Sequence, residues 1–573
     1  MILSLTFYSY KVMNRNVESH FAELPQVDIQ RSIFDRSSSH KTSFNFSELI
    51  PFYCDEVLPG DTFKITTSAV VRLQTLLTPI MSNAYMDTYW FFIPNRLVWS
   101  HWKQFMGENT ESAWLPSTEY TIPQISYPID STTGALGWNV GTIADYMGIP
   151  VNQSSLNHKP SALPFRAYAL CCDTWFRDQN LTDPLNIPLG DSNQIGSNGS
   201  NYITDVVNGG KPFLVAKYHD YFTSATKAPQ KGPTVKLIGN DVNQQYMSGS
   251  SSYVPVVTRN ERYDTIYKPP MALRNPTAAT QEFNLSYQQG SSDPRHVFWS
   301  NSTNYTGLIP DNLWADVSQM NITVNDLRVA FQLQKFFEKD AMAGTRYREI
   351  IHEHFGITTS DARMMIPEYL GGHRFPLSIH QVANQTQGEN EFLGDLGAMS
   401  NTSDVHEDFT KSFEEHGILL GLCCCRYDHC YSQGLERFWS RKSRFDFYYP
   451  VMANLGNQAI LKKEIYLDGT DGEDGNAFAY QECWAEYRYK PDRVSGEMRP
   501  GINNSLASWH LGDYYTTRPS FSDGWIREDK NNVDRVLAVS SSVANQVFAD
   551  FYVKNICTRP MPMYSIPGLI DHH

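Results

Sequence analysis

Two hydrophobic periods share this chain. A period of two marks its strands. Residues 55–73, DEVLPGDTFKITTSAVVRL, join a Pro-Gly turn to a run rich in Thr and Val. In residues 83–99, NAYMDTYWFFIPNRLVW, one side carries Met86, Thr88, Trp90 and Phe92, and the other Tyr85, Asp87, Tyr89, Phe91 and Ile93. Both sets are largely apolar, which predicts a strand buried on both faces, ended by Pro94-Asn95. From about residue 417 strand-like runs separated by turns return.

A period of three to four marks the helices. Phe165, Tyr168, Cys172 and Trp175 predict one over 165–178, with Cys171 and Cys172 as packing residues. Leu327, Ala330, Leu333, Phe337 and Ala341 form one stripe of a helix over 324–341, with Asn325 its expected N-cap. Gly344 interrupts it. The pattern resumes through Tyr347, Ile350, Ile351 and Phe355, and Gly356 is a fitting stop.

Between these patterns lie polar stretches. Residues 190–201, GDSNQIGSNGSN, read as a loop. From about 235 to 315 Ser, Asn, Gln, Gly and Tyr dominate and periodicity fades, as in an inserted surface module. Asn301 and Asn304 begin N-x-S/T triplets that such a composition produces by chance. Residues 1–12 read as an extension ahead of a second Met at Met13, leaving 13–573 as a single domain interrupted by the insertion. There is no internal repeat and no heptad pattern.

Composition adds ordered character. The 573 residues are 41% hydrophobic and 13% aromatic, and only 19% are charged. The formal charge of −14 argues against a broad nucleic-acid-binding face, so any such contact is local or is shared with a separate basic partner. Nine cysteines without regular spacing fit reduced thiols rather than a disulfide scaffold. No run approaches the ~20 apolar residues of a membrane span.

Most catalytic patterns fail on spacing. His352 and His354 are two apart, hence about 200° apart around a helix, and cannot share a metal from it. No phosphate-binding glycine loop and no G-x-S-x-G elbow occurs. Asp55 and Glu56 read as turn residues beside LPGD. Residues 468–475, DGTDGEDG, could hold calcium but lack the EF-hand order and read as a hairpin turn.

Residues 417–429, GILLGLCCCRYDH, read as an apolar strand. Alternation places Cys423 and Cys425 on one face and Cys424 on the other, which is not a converging ligand set. All three are expected to be reduced and buried, with His429 and Cys430 just beyond the strand.

One region fits single-stranded nucleic acid. Residues 434–450, GLERFWSRKSRFDFYYP, interleave Arg437, Arg441, Lys442 and Arg444 with Phe438, Trp439, Phe445 and Phe447. Residues 485–501 add Arg488, Lys490, Arg493 and Arg499. Cations for phosphates beside aromatic platforms for bases are what such binding uses. The candidate contacts are Arg437, Trp439, Arg441, Lys442, Arg444, Arg488 and Lys490. The competing reading is a pair of basic connections that make salt bridges at an interface.

An ordered set of stretches resembles the major capsid protein of the microviruses, small tailless single-stranded-DNA bacteriophages, and most closely the gokushovirus branch. They are DEVLPGDTF (55–63), FFIPNRLVW (91–99) with FMGE (105–108), LPFRAYAL (163–170) with WFRDQNL (175–181), and HDYFTS (219–224) with PQKG (229–232). The set continues through residues 325–351, DARMMIPEYLGG (361–372), the two basic-aromatic stretches and the end, IPGLIDHH (566–573). The resemblance implies a mainly β fold: an eight-stranded antiparallel viral jelly-roll barrel with long inserted loops and a few helices. It implies a homo-oligomeric, T=1-like icosahedral shell around circular single-stranded DNA, with the insertion forming protrusions toward a bacterial host surface receptor. A pilot protein belongs to such a particle. The acidic charge adds the expectation of a small basic internal DNA-binding protein. The expected place is the virion, assembled in the host cytoplasm, with no cofactor and no enzymatic activity. The family carries an ordinary apolar strand where this chain has its cysteines. The alternative is a β-sandwich carbohydrate-binding or carbohydrate-active protein, for which no convincing carboxylate pair stands out.

Overall fold

The computed structural model describes residues 29–110, 118–129, 137–153, 158–233, 235, 324–387, 392–469 and 471–565, and five short strand segments within 256–315. Residues 1–12, most of 235–315 with Asn301 and Asn304, and 566–573 lie outside the described residues. The chain divides into two compact units: one is formed by the chain up to Pro229 and again from Gly344, and the other spans Gln230–Ala343.

The first unit is mainly β. Its early strands are β1 (Ser32–Asp35), β2 (Ser38–Phe44), β3 (Ile50–Val57), β4 (Thr62–Leu73) and β5 (Ala84–Pro94), followed by helix α1 (Leu163–Cys171). The second unit contains α2 (Val324–Met342). The first unit resumes with α3 (Tyr347–Phe355), β6 (Glu368–Gly371), β7 (Arg374–Pro376), β8 (Thr402–Ser412) and β9 (Gly417–Tyr427). It ends with β10 (Cys430–Tyr431), β11 (Asn457–Leu461), β12 (Ala477–Glu482), β13 (Asp492–Arg493) and the long β14 (Val547–Arg559).

Two antiparallel sheets carry the architecture. One has the order β1-β14-β4-β8, with β2 also on β14; the other has the order β6-β5-β9-β3, with β7 also on β5. The first strands alternate between sheets: β2 and β4 lie in one, β3 and β5 in the other. The same alternation returns at the end, with β8 and β14 in the first sheet and β9 between them in the second. A core of inward residues from both sheets separates them, including Phe52, Trp90 and Cys423 from one and Phe63, Val71 and Phe551 from the other. Phe52 stacks on Phe551 with ring centroids 4.6 Å apart, and Trp90 meets Phe52 edge-on at 5.3 Å.

The second sheet is also covered on its other face. Phe91 and Ile93 of β5 and Ile418, Leu420 and Leu422 of β9 pack with Phe165 and Tyr168 of α1. The Tyr168 hydroxyl donates to the Leu49 carbonyl at 2.6 Å and accepts from Phe213 N at 3.1 Å. Arg166 on α1 is fully buried and donates to the carbonyls of Val98 and Gly190 and to Gln194 Oε1. A buried guanidinium held this way ties three segments of the covering layer together.

Alternation along β5 matches the expected two faces, with Met86, Trp90 and Phe92 inward and Phe91 and Ile93 toward α1. Asp87 is the charged exception and is satisfied by Arg374 Nε at 2.7 Å, Arg426 Nε at 3.1 Å and Tyr218 OH at 2.9 Å. Along β9, Cys423 and Cys425 join the inter-sheet core and Cys424 faces the helical layer. All three are fully buried, and all nine cysteines are free thiols. Gly421 has a packing reason: a Cβ there would lie 2.8 Å from the Phe52 ring.

Four expectations need correction. The helix expected over 165–178 is α-helical only to Cys171 and continues as one wider π turn over Cys172–Phe176. Asn325 lies inside α2 rather than capping it, because the helix begins by Val324. Asp55 and Glu56 are strand residues of β3, and Asp55 Oδ1 accepts from Arg36 Nη2 at 2.9 Å. Residues 190–201 include a short bridge, Gln194–Ile195, parallel to Ile125–Ser126. Gly356 does end α3, at φ 69°.

Two outcomes test this packing. Gly421→Ala should lower the unfolding free energy by about 1–3 kcal/mol through overpacking against Phe52, read from the denaturation midpoint. Alkylation of the folded protein at mildly alkaline pH should leave Cys423, Cys424 and Cys425 unmodified, whereas denaturant exposes them. Burial pushes the Cys424 thiol up to about 12.

Candidate nucleic-acid interface

The basic-aromatic stretches sit on a small third core. Tyr221, Phe222, Tyr431, Ile460, Phe478 and Trp525 form part of it. The antiparallel pair β11–β12 and the parallel pair β10–β13 frame the platform. Across it run short 3₁₀ turns over Arg437–Ser440, Arg444–Asp446, Pro450–Met452 and Ala485–Tyr487. A cleft of about 550 Å³ opens between the two stretches, lined among others by Arg437, Trp439, Arg441, Glu486, Lys490 and Arg493.

The structure brings the seven candidate residues into one region but spends most of their charge internally. Arg437 donates to Glu464 at 2.8 Å and also to the Ala459 carbonyl. Arg441 pairs with Glu486 at 3.2 Å and lies over the Tyr487 ring at 4.5 Å. Arg488 pairs with Glu482, and Lys490 with Glu436. Glu436 also takes Arg493 at 3.3 Å. Lys442 and Arg444 are different. Both are exposed, and neither side chain has a carboxylate partner among the described residues, although the Lys442 backbone N–H donates to Asp446 Oδ2 at 2.8 Å. Arg444 only overlies the neighbouring Phe445 ring at 4.7 Å. Trp439 is 66% exposed and packs at a tilt of 36° against Phe438 with centroids 4.5 Å apart.

Trp484 pins this surface. Its indole N–H donates to the Met452 carbonyl at 2.9 Å, and its ring packs against Tyr448 and Tyr487. It does so from a left-handed backbone at φ 69°, which costs a bulky side chain about 1–2 kcal/mol.

Below the platform lies a buried charge network that sequence patterns did not reveal. His429 Nδ1 is 2.8 Å from Asp513 Oδ1, and Lys217 Nζ is 3.0 Å from Asp513 Oδ2. The Tyr515 hydroxyl donates to the same carboxylate at 2.8 Å. Glu528 approaches His429 Nε2 at 3.1 Å as an ion pair that is out of line for a hydrogen bond. Burial alone would lower the His429 pKa, but Asp513 and Glu528 outweigh it and push it up to about 9. Burial would raise Asp513, but His429 and Lys217 hold it well below the usual carboxylate range. His429 lies just beyond β9, as expected, but its partners are 84 and 99 residues further along and carry no motif. Burial and Asp513 push the neighbouring Cys430 thiol up to about 12, so it is a poor nucleophile.

The network has a pH signature. Because folding raises the imidazole pKa, its stabilisation is fully present below the unfolded value of 6.5 and is lost as pH rises through about 9. Asp513, held low, loses its share only in strong acid. Thermal melts should therefore show Tm falling between about pH 7 and pH 10, and His429→Gln should flatten that slope while lowering Tm at neutral pH.

The acidic loop joins the paired strands β11 and β12, and Arg518 sits among its carboxylates, bonded to Asp474 and 3.6 Å from Asp468. Among the described residues no group of three or more His, Cys, Asp or Glu could hold a metal ion. His352 and His354 form no such group. No helix among the described residues is long and apolar enough to cross a membrane.

Comparison with known proteins agrees with this arrangement. The family described as "Capsid protein (F protein)" matches residues 22–569. The chain is 38% identical to capsid protein VP1 of Spiroplasma virus 4, over 92% of this chain and 94% of that protein. It is 36% identical to capsid protein VP1 of Chlamydia phage 1, over 96% and 98%. It is 36% identical to capsid protein VP1 of Bdellovibrio phage phiMH2K, over 97% and 99%. These relatives are structural proteins rather than enzymes. The chain belongs to the phage F-protein family of capsid proteins, as a microvirus-type major capsid protein.

Proposed function

We propose that this chain builds a T=1-like icosahedral shell that encloses circular single-stranded DNA. The observation that carries this reading is the near full-length match to VP1 capsid proteins. The two sheets support an eight-stranded jelly-roll barrel, in which β2, β14, β4 and β8 face β3, β9, β5 and the β6–β7 strand pair. Such a barrel is a rigid wall element with long connections free to reach neighbours. The polar segment near 235–315 is read as an insertion that forms protrusions for attachment to a receptor on the host surface. The particle forms in the host cytoplasm and includes a pilot protein.

DNA contact in this reading narrows to Lys442 and Arg444, with Trp439 as a stacking platform. The other four candidates, Arg437, Arg441, Arg488 and Lys490, serve the platform as salt-bridge partners. With only two of the platform's candidate cations left without an ion pair and a net charge of −14, most phosphate charge falls to a small basic internal protein.

Size exclusion and negative-stain microscopy of the purified protein test the assembly. Uniform megadalton shells are expected, and a monomer with glycosidase activity would refute the reading. Replacing Lys442 and Arg444 with Ala should reduce the salt slope of single-stranded DNA binding by roughly 1.4, from roughly 0.7 for each phosphate contact. An unchanged slope would remove these residues from the DNA interface.

A further inference from the structure

The aromatic side chains of the platform form a surface larger than a lone subunit has use for. Phe445, Phe447, Tyr448, Tyr449, Val451 and Leu455 on one loop are each between 44% and 90% exposed. Tyr487 and Tyr489 on the adjoining turn are about half exposed, and Phe438 and Trp439 extend the patch. The patch is continuous. Tyr448 lies 6.2 Å from Tyr487, the Arg441 guanidinium bridges Phe447 and Tyr487, and the Lys490 ammonium covers Phe438.

Its size and charge identify the kind of partner. These exposures amount to roughly 1,000 Å² of largely apolar surface, against roughly 300–600 Å² for the largest patch on a typical monomer and ~800 Å² for one side of a standard interface. Glu436, Glu464, Glu482 and Glu486 already hold Arg437, Arg441, Arg488, Lys490 and Arg493. A polyanion would have to break those pairs, whereas a protein face would not. The mixture of Tyr, Phe, Trp and paired Arg is that of an interface centre. The loop from Phe438 to Leu455 contributes no strand and is held to its own subunit largely at Trp484 and the ion pairs.

We infer that this patch, centred on Tyr448 and Val451, is a contact surface for a second copy of this chain. The inference rests on the capsid reading, which supplies many copies at high local concentration. Trp439, Lys442 and Arg444 then mark the edge of the contact, where a stacking ring and charge remain available to a ligand other than protein.

Photo-crosslinking of the full chain tests it. Tyr448→p-benzoylphenylalanine, irradiated in assembled shells, should give covalent chain–chain adducts. Val451→Asp, at a side chain that is 90% exposed, should keep the wild-type melting temperature and reduce the fraction sedimenting as shells about tenfold or more. Intact shells with no chain–chain adduct, adducts to DNA alone, or Val451→Asp shells at wild-type yield would each overturn the inference while leaving the capsid reading standing. A wild-type chain that forms no shells would overturn both.

Discussion

The β9 strand has no face left for water, and the rest of the first unit is arranged around that constraint. Ten of its eleven residues are buried. It pairs with β5 along its whole length and with β3 from Gly417 to Cys423, so most of its backbone is paired on both edges as well. Each face then needs its own cover. The inward residues require the opposing sheet, with Phe551 and Phe63; the outward residues require α1 and the loops tied by Arg166. Sulfur suits this position because a thiol is small, apolar and undemanding of hydrogen bonds, so three adjacent cysteines serve two cores at once. Gly421 lets the Phe52 ring lie directly on the strand.

What was legible in the sequence was local and periodic. The two apolar faces of β5 and the split of Cys423 and Cys425 from Cys424 follow from alternation alone. The end of α3 at Gly356 follows from one residue's backbone freedom. The errors arose where a distant partner decided the outcome. Asp55 looks like a turn residue until the pairing of β3 with β9, which sets it opposite Leu419, places it in a strand. In the basic-aromatic stretches, the sequence did not show that Glu436, Glu464, Glu482 and Glu486 pair with Arg437, Arg441, Arg488 and Lys490 and leave Lys442 and Arg444 without an ion pair. No spacing rule joins His429 to Lys217, Asp513 and Glu528, because they meet from segments far apart in the chain.

Those carboxylates change the meaning of the platform. A run of Arg and aromatic residues can read nucleic acid or build a protein contact, and net charge decides between them. Here the guanidinium groups are mostly neutralised and stacked on their own aromatic neighbours, which leaves an apolar surface with two free cations at its edge. Such a surface suits a capsid subunit that binds its neighbours over a broad area. The buried network beneath it fixes the base of the platform without adding charge to its face.

The central claim is that this is a shell subunit whose aromatic platform meets a neighbouring copy. An electron cryomicroscopy map of assembled particles tests both halves at once. The account expects a closed icosahedral shell in which Tyr448 and Val451 are covered by an adjacent subunit. A map of closed shells with that platform open to solvent would contradict the interface, and the absence of any closed assembly would contradict the account as a whole.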